Sequence, residues 1–165
     1  MAFARQAMVC VLASVLAPAL QAQCSNPGFF EVLTVAYPAD APGNAVLDKR
    51  TGMQWRRCEE GQRWDGASCQ GTGWQLNHEQ ALRHAGTLGI WGLPDAKQLG
   101  SLPSRDCRFP ALDGPVYATG ELSRHYWSST PLASASYAAW RLELDTGRVS
   151  YAQRAMPAGL RLSRR

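Results

Sequence analysis

No apolar run in this 165-residue chain is long enough to cross a bilayer. The longest, residues 8–20, falls well short of the roughly 20 residues a spanning helix needs. The chain also lacks any C-x-x-C or H-x-x-x-H spacing, which removes the ordinary zinc frameworks. There is no G-x-S-x-G elbow to present a nucleophilic serine, no collagen-like G-x-y tract and no internal repeat. Lysine is nearly missing. Of 17 basic residues only Lys49 and Lys97 are lysines, and the rest are arginines. A coding bias accounts for that count, and recognition of sulfate, phosphate or carboxylate is kept for particular arginine clusters, because the planar guanidinium suits such groups.

The short apolar run has another reading. Arg5 is the sole charge ahead of it, and Leu20-Gln21-Ala22 offers a small residue, so residues 1–22 read as a secretory signal peptide cut after Ala22. Gln23 stands where a lipoprotein site needs a small residue, so no lipid anchor is expected on Cys24. The expected location is the periplasm or the cell surface. Cleavage removes Cys10 and leaves Cys24, Cys58, Cys69 and Cys107, which in an oxidising compartment suggest two disulfides in one of three connectivities. Residues 51–69 favour Cys58–Cys69 as the local pair. Between these cysteines lies a polar loop with one large apolar residue, Trp64, too little to hold itself down. Closing a loop of this length contributes about 3 kcal/mol. Cys24–Cys107 would then tie an N-terminal arm to the body. A zinc site built from these cysteines and His78, His84 or His125 is the competing reading, and the missing spacings weigh against it.

What remains suits one domain with a real core. Residues 23–45, with Pro27, Pro38 and Pro42, read as an irregular leader, and residues 46–165 as the domain. The formal charge of +4 becomes +3 once Arg5 leaves with the signal. Turn residues from Asp48 to Gly52 separate Val46-Leu47 from Met53-Gln54-Trp55, a hairpin pattern. Residues 76–88 read as the clearest helix. Asn77 caps it, Gln80 sits at the reciprocal position, and Ala81, Leu82, Ala85 and Leu88 form the apolar stripe. A shorter helix follows Pro94, with Asp95 as cap, Gln98 as its partner, Leu99 and Leu102 facing inward and Pro103 as the stop. Then the period changes to two: residues 140–144 and 149–151 flank the turn Asp145-Thr146-Gly147-Arg148, and Leu160-Arg161-Leu162 reads as a last short strand. Helices followed by antiparallel strands indicate an α+β class.

Four landmarks stand in order: TGMQWRRC with GQRWDGASC, the WQLNHEQAL helix, WGLPDAKQL, and YWSST followed by AAWRLELDTGRVSY and GLRLSR. Together they resemble an exported bacterial family named after the C-terminal domain of a Legionella collagen-like adhesin, long classed as a domain of unknown function. The likeness runs from Val46 to Arg164. It implies a C-type-lectin-like α+β fold with twisted antiparallel sheets, two helices and disulfide support. It also implies a relation to a domain that binds sulfated polysaccharides during attachment. Gly92 stands where the family usually carries an arginine, and the collagen stalk that gives the founding adhesin its avidity has no counterpart.

Six tryptophans invite a sugar-stacking reading. Trp55, Trp91, Trp127 and Trp140 sit within the landmarks, where core packing is the ordinary role, while Trp64 and Trp74 in the polar loop leave both roles open. The hydroxyls of Ser128, Ser129 and Thr130 follow His125, which has no evident orienting acid, so they are expected to serve backbone groups at a strand end or bulge. Calcium needs several clustered carboxylates. The acids here are scattered, and the E-P-N, Q-P-D and W-N-D signatures of true C-type lectins do not occur. The formylglycine-generating relatives of the fold depend on cysteines near the C-terminus, whereas this chain has none after Cys107. No cofactor or metal is expected, nucleic acid is not an expected partner, and the chain does not read as an enzyme.

Two function classes are left. One is an exported ligand-binding or adhesion module for anionic polysaccharide. The other is an accessory subunit of a surface assembly such as a pilus or tail-like fibre, acting on a surface-assembly protein. For the first, basic and aromatic residues gather on the C-terminal strands: Arg124, His125, Arg141, Arg148, Tyr151 and Arg154 are the candidate contacts. Arg141 and Arg148 flank the hairpin turn, which can bring them together.

Overall fold

A computed structural model of the chain describes residues 29–33, 42–117 and 122–165. The expected signal peptide, Cys24 and most of the expected leader lie outside these residues. The first hairpin forms around a buried carboxylate. Asp48 accepts hydrogen bonds from Arg50 N–H (3.0 Å) and the Thr51 hydroxyl (2.9 Å), and Gly52 takes the left-handed conformation at φ 70° that the turn requires. This joins β2 (Ala45–Asp48) to β3 (Met53–Arg56), with Met53 and Trp55 pointing inward. Part of the expected irregular leader is in fact a strand, since β1 (Phe30–Leu33) pairs antiparallel with β2.

The Cys58–Cys69 disulfide is formed, with a Cα–Cα distance of 5.4 Å. Inside its loop β4 (Arg63–Trp64) pairs with β5 (Cys69–Gln70). Asp65 turns the connection by accepting from Ala67 N–H and Ser68 N–H, both at 2.8 Å, and these bonds hold its carboxyl below the usual range. Cys107 is also disulfide-bonded, and its expected partner, Cys24, lies outside the described residues.

Both expected helices form, with both capping boxes in place. The first, α1 (His78–Ala85), is shorter than expected, because Leu76 bridges to Ala158 instead of entering it. Its buried stripe also differs. His78, Ala81 and Ala85 are buried and Leu88 is partly so, a 3-4-3 spacing that leaves Leu82 on the half-exposed flank. The second, α2 (Ala96–Leu99), is capped by Asp95 and Gln98; Leu99 and, three residues past the helix, Leu102 enter the main core. A one-turn helix outside the expected elements, α3 (Gly114–Tyr117), follows the buried Asp113.

A three-stranded antiparallel sheet carries the C-terminal half: β6 (His125–Pro131), β7 (Ala138–Glu143) and β8 (Arg148–Gln153). The register shifts between Trp127 and Pro131, a bulge where the Ser128 hydroxyl donates to Trp140 O and the Thr130 hydroxyl accepts from Ala96 N–H. The last strand falls later than expected. Leu160 and Leu162 are buried, and their carbonyls take the N–H groups of Glu60 and Arg56. Pairing therefore moves to β9 (Ser163–Arg164), which joins β3 and completes the order β1-β2-β3-β9. The result is α+β: mostly antiparallel sheets with short helices over a core centred on Trp55, Leu99, Leu112, Tyr126 and Leu142. Trp55, Trp91 and Trp127 are core residues as expected, but Trp140 is only half-buried. Beside Trp91, next to Gly92, the guanidinium groups of Arg56 and Arg164 lie 5.2 and 4.4 Å from the ring.

Candidate functional site

One population of arginine side chains is tied into the fold. Arg161, fully buried, donates to the carbonyls of Arg56 and Arg57 and to Tyr126 OH, and lies 3.6 Å from the buried Glu59 carboxylate. Glu59 in turn accepts from Ser123 N–H (2.8 Å), the Ser123 hydroxyl and Tyr126 OH. Gly73 and Gly159 press so closely on Glu59 and Ser123 that a Cβ at either would collide with them. Burial pushes Tyr126 and Tyr117 up, because their phenolates would be desolvated. This knot ties the segment around Cys58 to the run that leads into β9. Arg50 with Asp48, Arg56 with Glu60 and Arg83 with Glu79 are likewise paired.

The second population lies on the β6–β8 sheet. Register sets Glu143 between His125 and Arg148 in one cross-strand row, and Arg141 between Trp127 and Ser150 in the next. His125, Arg141 and Arg148 therefore share a face, and Arg141 and Arg148 are diagonal neighbours, typically about 7–8 Å apart. Arg124 precedes β6 with its carbonyl on Leu144 N–H (2.8 Å). Among the described residues no ion pair engages Arg124, Arg141 or Arg148, and the buried Nε of Arg141 has no hydrogen-bond partner. Glu143, the acid opposite Arg148, accepts from the Thr146 hydroxyl (2.9 Å). Burial lowers the His125 pKa, and Arg141 and Arg124 reinforce that against Glu143 and Asp145, so its imidazole stays neutral near pH 7. Arg124 and His125 also line a cleft of ≈ 410 Å³ with Gln75 and Ser123.

The six expected contacts do not form one site. Tyr151 is opposite Trp140 on the other face of the sheet, their ring centroids 6.1 Å apart. Arg154 lies past the end of β8. Its Nε donates to His78 Nδ1 (3.1 Å), and it lines a separate cleft of ≈ 410 Å³ with Asn77, Glu79, Ser136 and Tyr137. The loop tryptophans differ from each other. Trp64 packs over Arg57, 4.4 Å from its guanidinium, and donates to Pro42 O, whereas Trp74 stands edge-on to His84 and is 47% exposed.

Several residues that shape these features carry no signal in sequence. Arg161, flanked by leucines, looks like the outward residue of an alternating strand. His78 looks like an ordinary first-turn polar residue. Tyr137 lies in a turn with no motif. The one available hint is composition: Gly73 and Gly159 fall in segments without a turn pattern, where glycine points to close backbone approach. Among the described residues no group of three or more His, Cys, Asp or Glu side chains could hold a metal ion, and no helix is long and apolar enough to cross a membrane.

No curated protein matches the chain. A family model does, across residues 44–164, which takes in β2 to β9, the Cys58–Cys69 loop and the arginine-bearing sheet. On that match the chain belongs to the Lcl C-terminal domain family.

Proposed function

We propose that this domain is an exported, non-enzymatic binding module of C-type-lectin-like architecture that recognises an anionic, sulfated polysaccharide through the β6–β8 face. The observation that carries the reading is the placement of His125, Arg141 and Arg148 on one face of the sheet, with Arg124 beside them and, among the described residues, no ion pair on any of these arginines. Guanidinium groups bind sulfate or carboxylate bidentately, because their planar fork matches those groups. The serine and threonine hydroxyls of β6 are committed to backbone groups, which argues against a nucleophile there. A test is retention on a sulfated polysaccharide against a desulfated, uncharged polymer at low and high salt. Selective, salt-sensitive retention supports the reading, and equal retention on both polymers would overturn it.

A second reading, an accessory subunit of a pilus or tail-like fibre, draws on the opposite face. There Tyr151 is 62% exposed beside half-buried Trp140, an arrangement suited to a protein partner. Co-purification with a fibre that survives Arg141→Ala and Arg148→Ala, without polysaccharide binding, would favour it.

A further inference from the structure

We propose that the cleft between the start of α1 and the open end of the β7–β8 hairpin, opposite its turn, is a second binding site. It takes a carboxylated pyranose, a uronic acid residue, with the carboxylate on Arg154 and a ring face on Tyr137. This site is distinct from the Arg141 and Arg148 face and does not depend on sulfate recognition.

Arg154 is held on four sides. Its N–H donates to Tyr137 O (2.8 Å), its carbonyl accepts from His78 N–H (2.9 Å), its Nε donates to His78 Nδ1 (3.1 Å), and one terminal nitrogen donates to Ser136 O (3.4 Å). Because His78 Nδ1 accepts from Arg154, the ring proton is on Nε2, which donates to Ser128 O at 3.0 Å. His78 itself is 1% exposed and stands edge-on to Trp127 at 5.2 Å, so it cannot turn away. A buried imidazole of fixed tautomer thus aims the guanidinium, while the second terminal nitrogen has no partner among the described residues and remains to donate. Guanidinium groups usually pay heavily in side-chain freedom when they bind, and this one has surrendered that freedom already.

The cleft matches a sugar in size and chemistry. Its ≈ 410 Å³ sits within the usual range for small-ligand sites, about 300–1,000 Å³. Tyr137 is 68% exposed, presenting an aromatic surface for the C–H face of a pyranose. Glu79 on the rim bonds to Arg83, which offsets its charge and leaves carboxylate lone pairs for sugar hydroxyls. Asn77 is occupied in capping α1. One cation, one aromatic face and a rim acceptor specify a carboxylated ring over a neutral one.

The probes are D-glucuronate and D-glucose, titrated into the ¹⁵N-labelled protein and followed by amide chemical shifts. Glucuronate is expected to move the Tyr137 and Arg154 amides saturably, with glucose binding at least about tenfold more weakly. Arg154→Lys, which cannot hold His78 and a carboxylate together, should erase that preference. Tyr137→Ala removes an exposed ring, should leave the remaining spectrum in place, and should weaken both probes. Arg141→Ala with Arg148→Ala should change nothing here, even if it abolishes sulfated-polysaccharide binding. Equal response to the two probes, an Arg154→Lys protein that still prefers glucuronate, or shifts confined to the β6–β8 arginines would overturn the assignment.

Discussion

Arg161→Met removes the cation from the buried knot and keeps much of the stem's volume. Its side chain is fully buried, so the guanidinium bonds to Arg56 O, Arg57 O and Tyr126 OH have no solvent to replace them. The substitution strands two carbonyls and leaves the Glu59 carboxylate, also at 0% side-chain exposure, with neutral donors alone. Breaking a buried ion pair from one side typically costs about 3–5 kcal/mol. That is a large share of a domain stability of about 5–15 kcal/mol. Adding Glu59→Gln should recover part of the loss, because the amide still accepts from Ser123 N–H and Tyr126 OH without stranding a charge. The two changes touch one network, so a coupling of about 1–3 kcal/mol is expected. Urea unfolding reads all of this as a midpoint shift at unchanged slope. An unfolding free energy for Arg161→Met within about 0.5 kcal/mol of wild type would refute the buried pair.

Replacing Cys58 and Cys69 with serine should lower stability by about 3 kcal/mol, the entropy of closing a loop of this length, measured by the same unfolding. Leu82→Ala should cost about 1 kcal/mol or less, because the side chain is half-exposed and alanine favours the helix; Leu99→Ala should cost about 2–5 kcal/mol as a buried leucine truncation. Acid should destabilise the fold through His78. Burial chiefly, with Arg154 adding, lowers its folded pKa, so below about pH 6.5 the unfolded chain binds a proton that the folded one refuses. Stability from this group is complete above that pH and falls as pH drops towards the folded value. His78→Gln should remove its part of the acid dependence and leave the part due to His125, which acts in the same direction; an unchanged profile would contradict the His78–Arg154 geometry.

What could be read in the sequence is what short-range chemistry decides. Asn77 with Gln80 and Asp95 with Gln98 form capping boxes because each bond spans three residues, and tertiary context has little to add. The β2–β3 and β7–β8 hairpins follow from turn residues between alternating runs, and the Cys58–Cys69 bond from a loop unable to bury itself. Long-range choices were not legible. His78 replaces Leu82 in the α1 stripe because Ser128 and Arg154, distant in sequence, satisfy both ring nitrogens. Arg161 turns inward because Glu59 and two carbonyls await it, and the strand shifts to Ser163–Arg164 as a consequence. The candidate contacts were found as residues and not as a site. Alternation along β7 and β8 puts Arg141 and Arg148 on one face and Tyr151 on the other, and Arg154 belongs with His78.

The most direct test of the proposed function compares wild type with the Arg141→Ala, Arg148→Ala double variant, measuring affinity for a sulfated polysaccharide at two salt concentrations. Arg148 is exposed and Arg141 half-buried, and neither holds an ion pair among the described residues, so the fold should persist, checked by an unchanged unfolding midpoint. Wild-type affinity should fall steeply with salt, and the double variant should bind at least about tenfold more weakly with a shallower salt dependence. Affinity unchanged by the double substitution, or indifferent to salt in the wild type, would contradict recognition through this face.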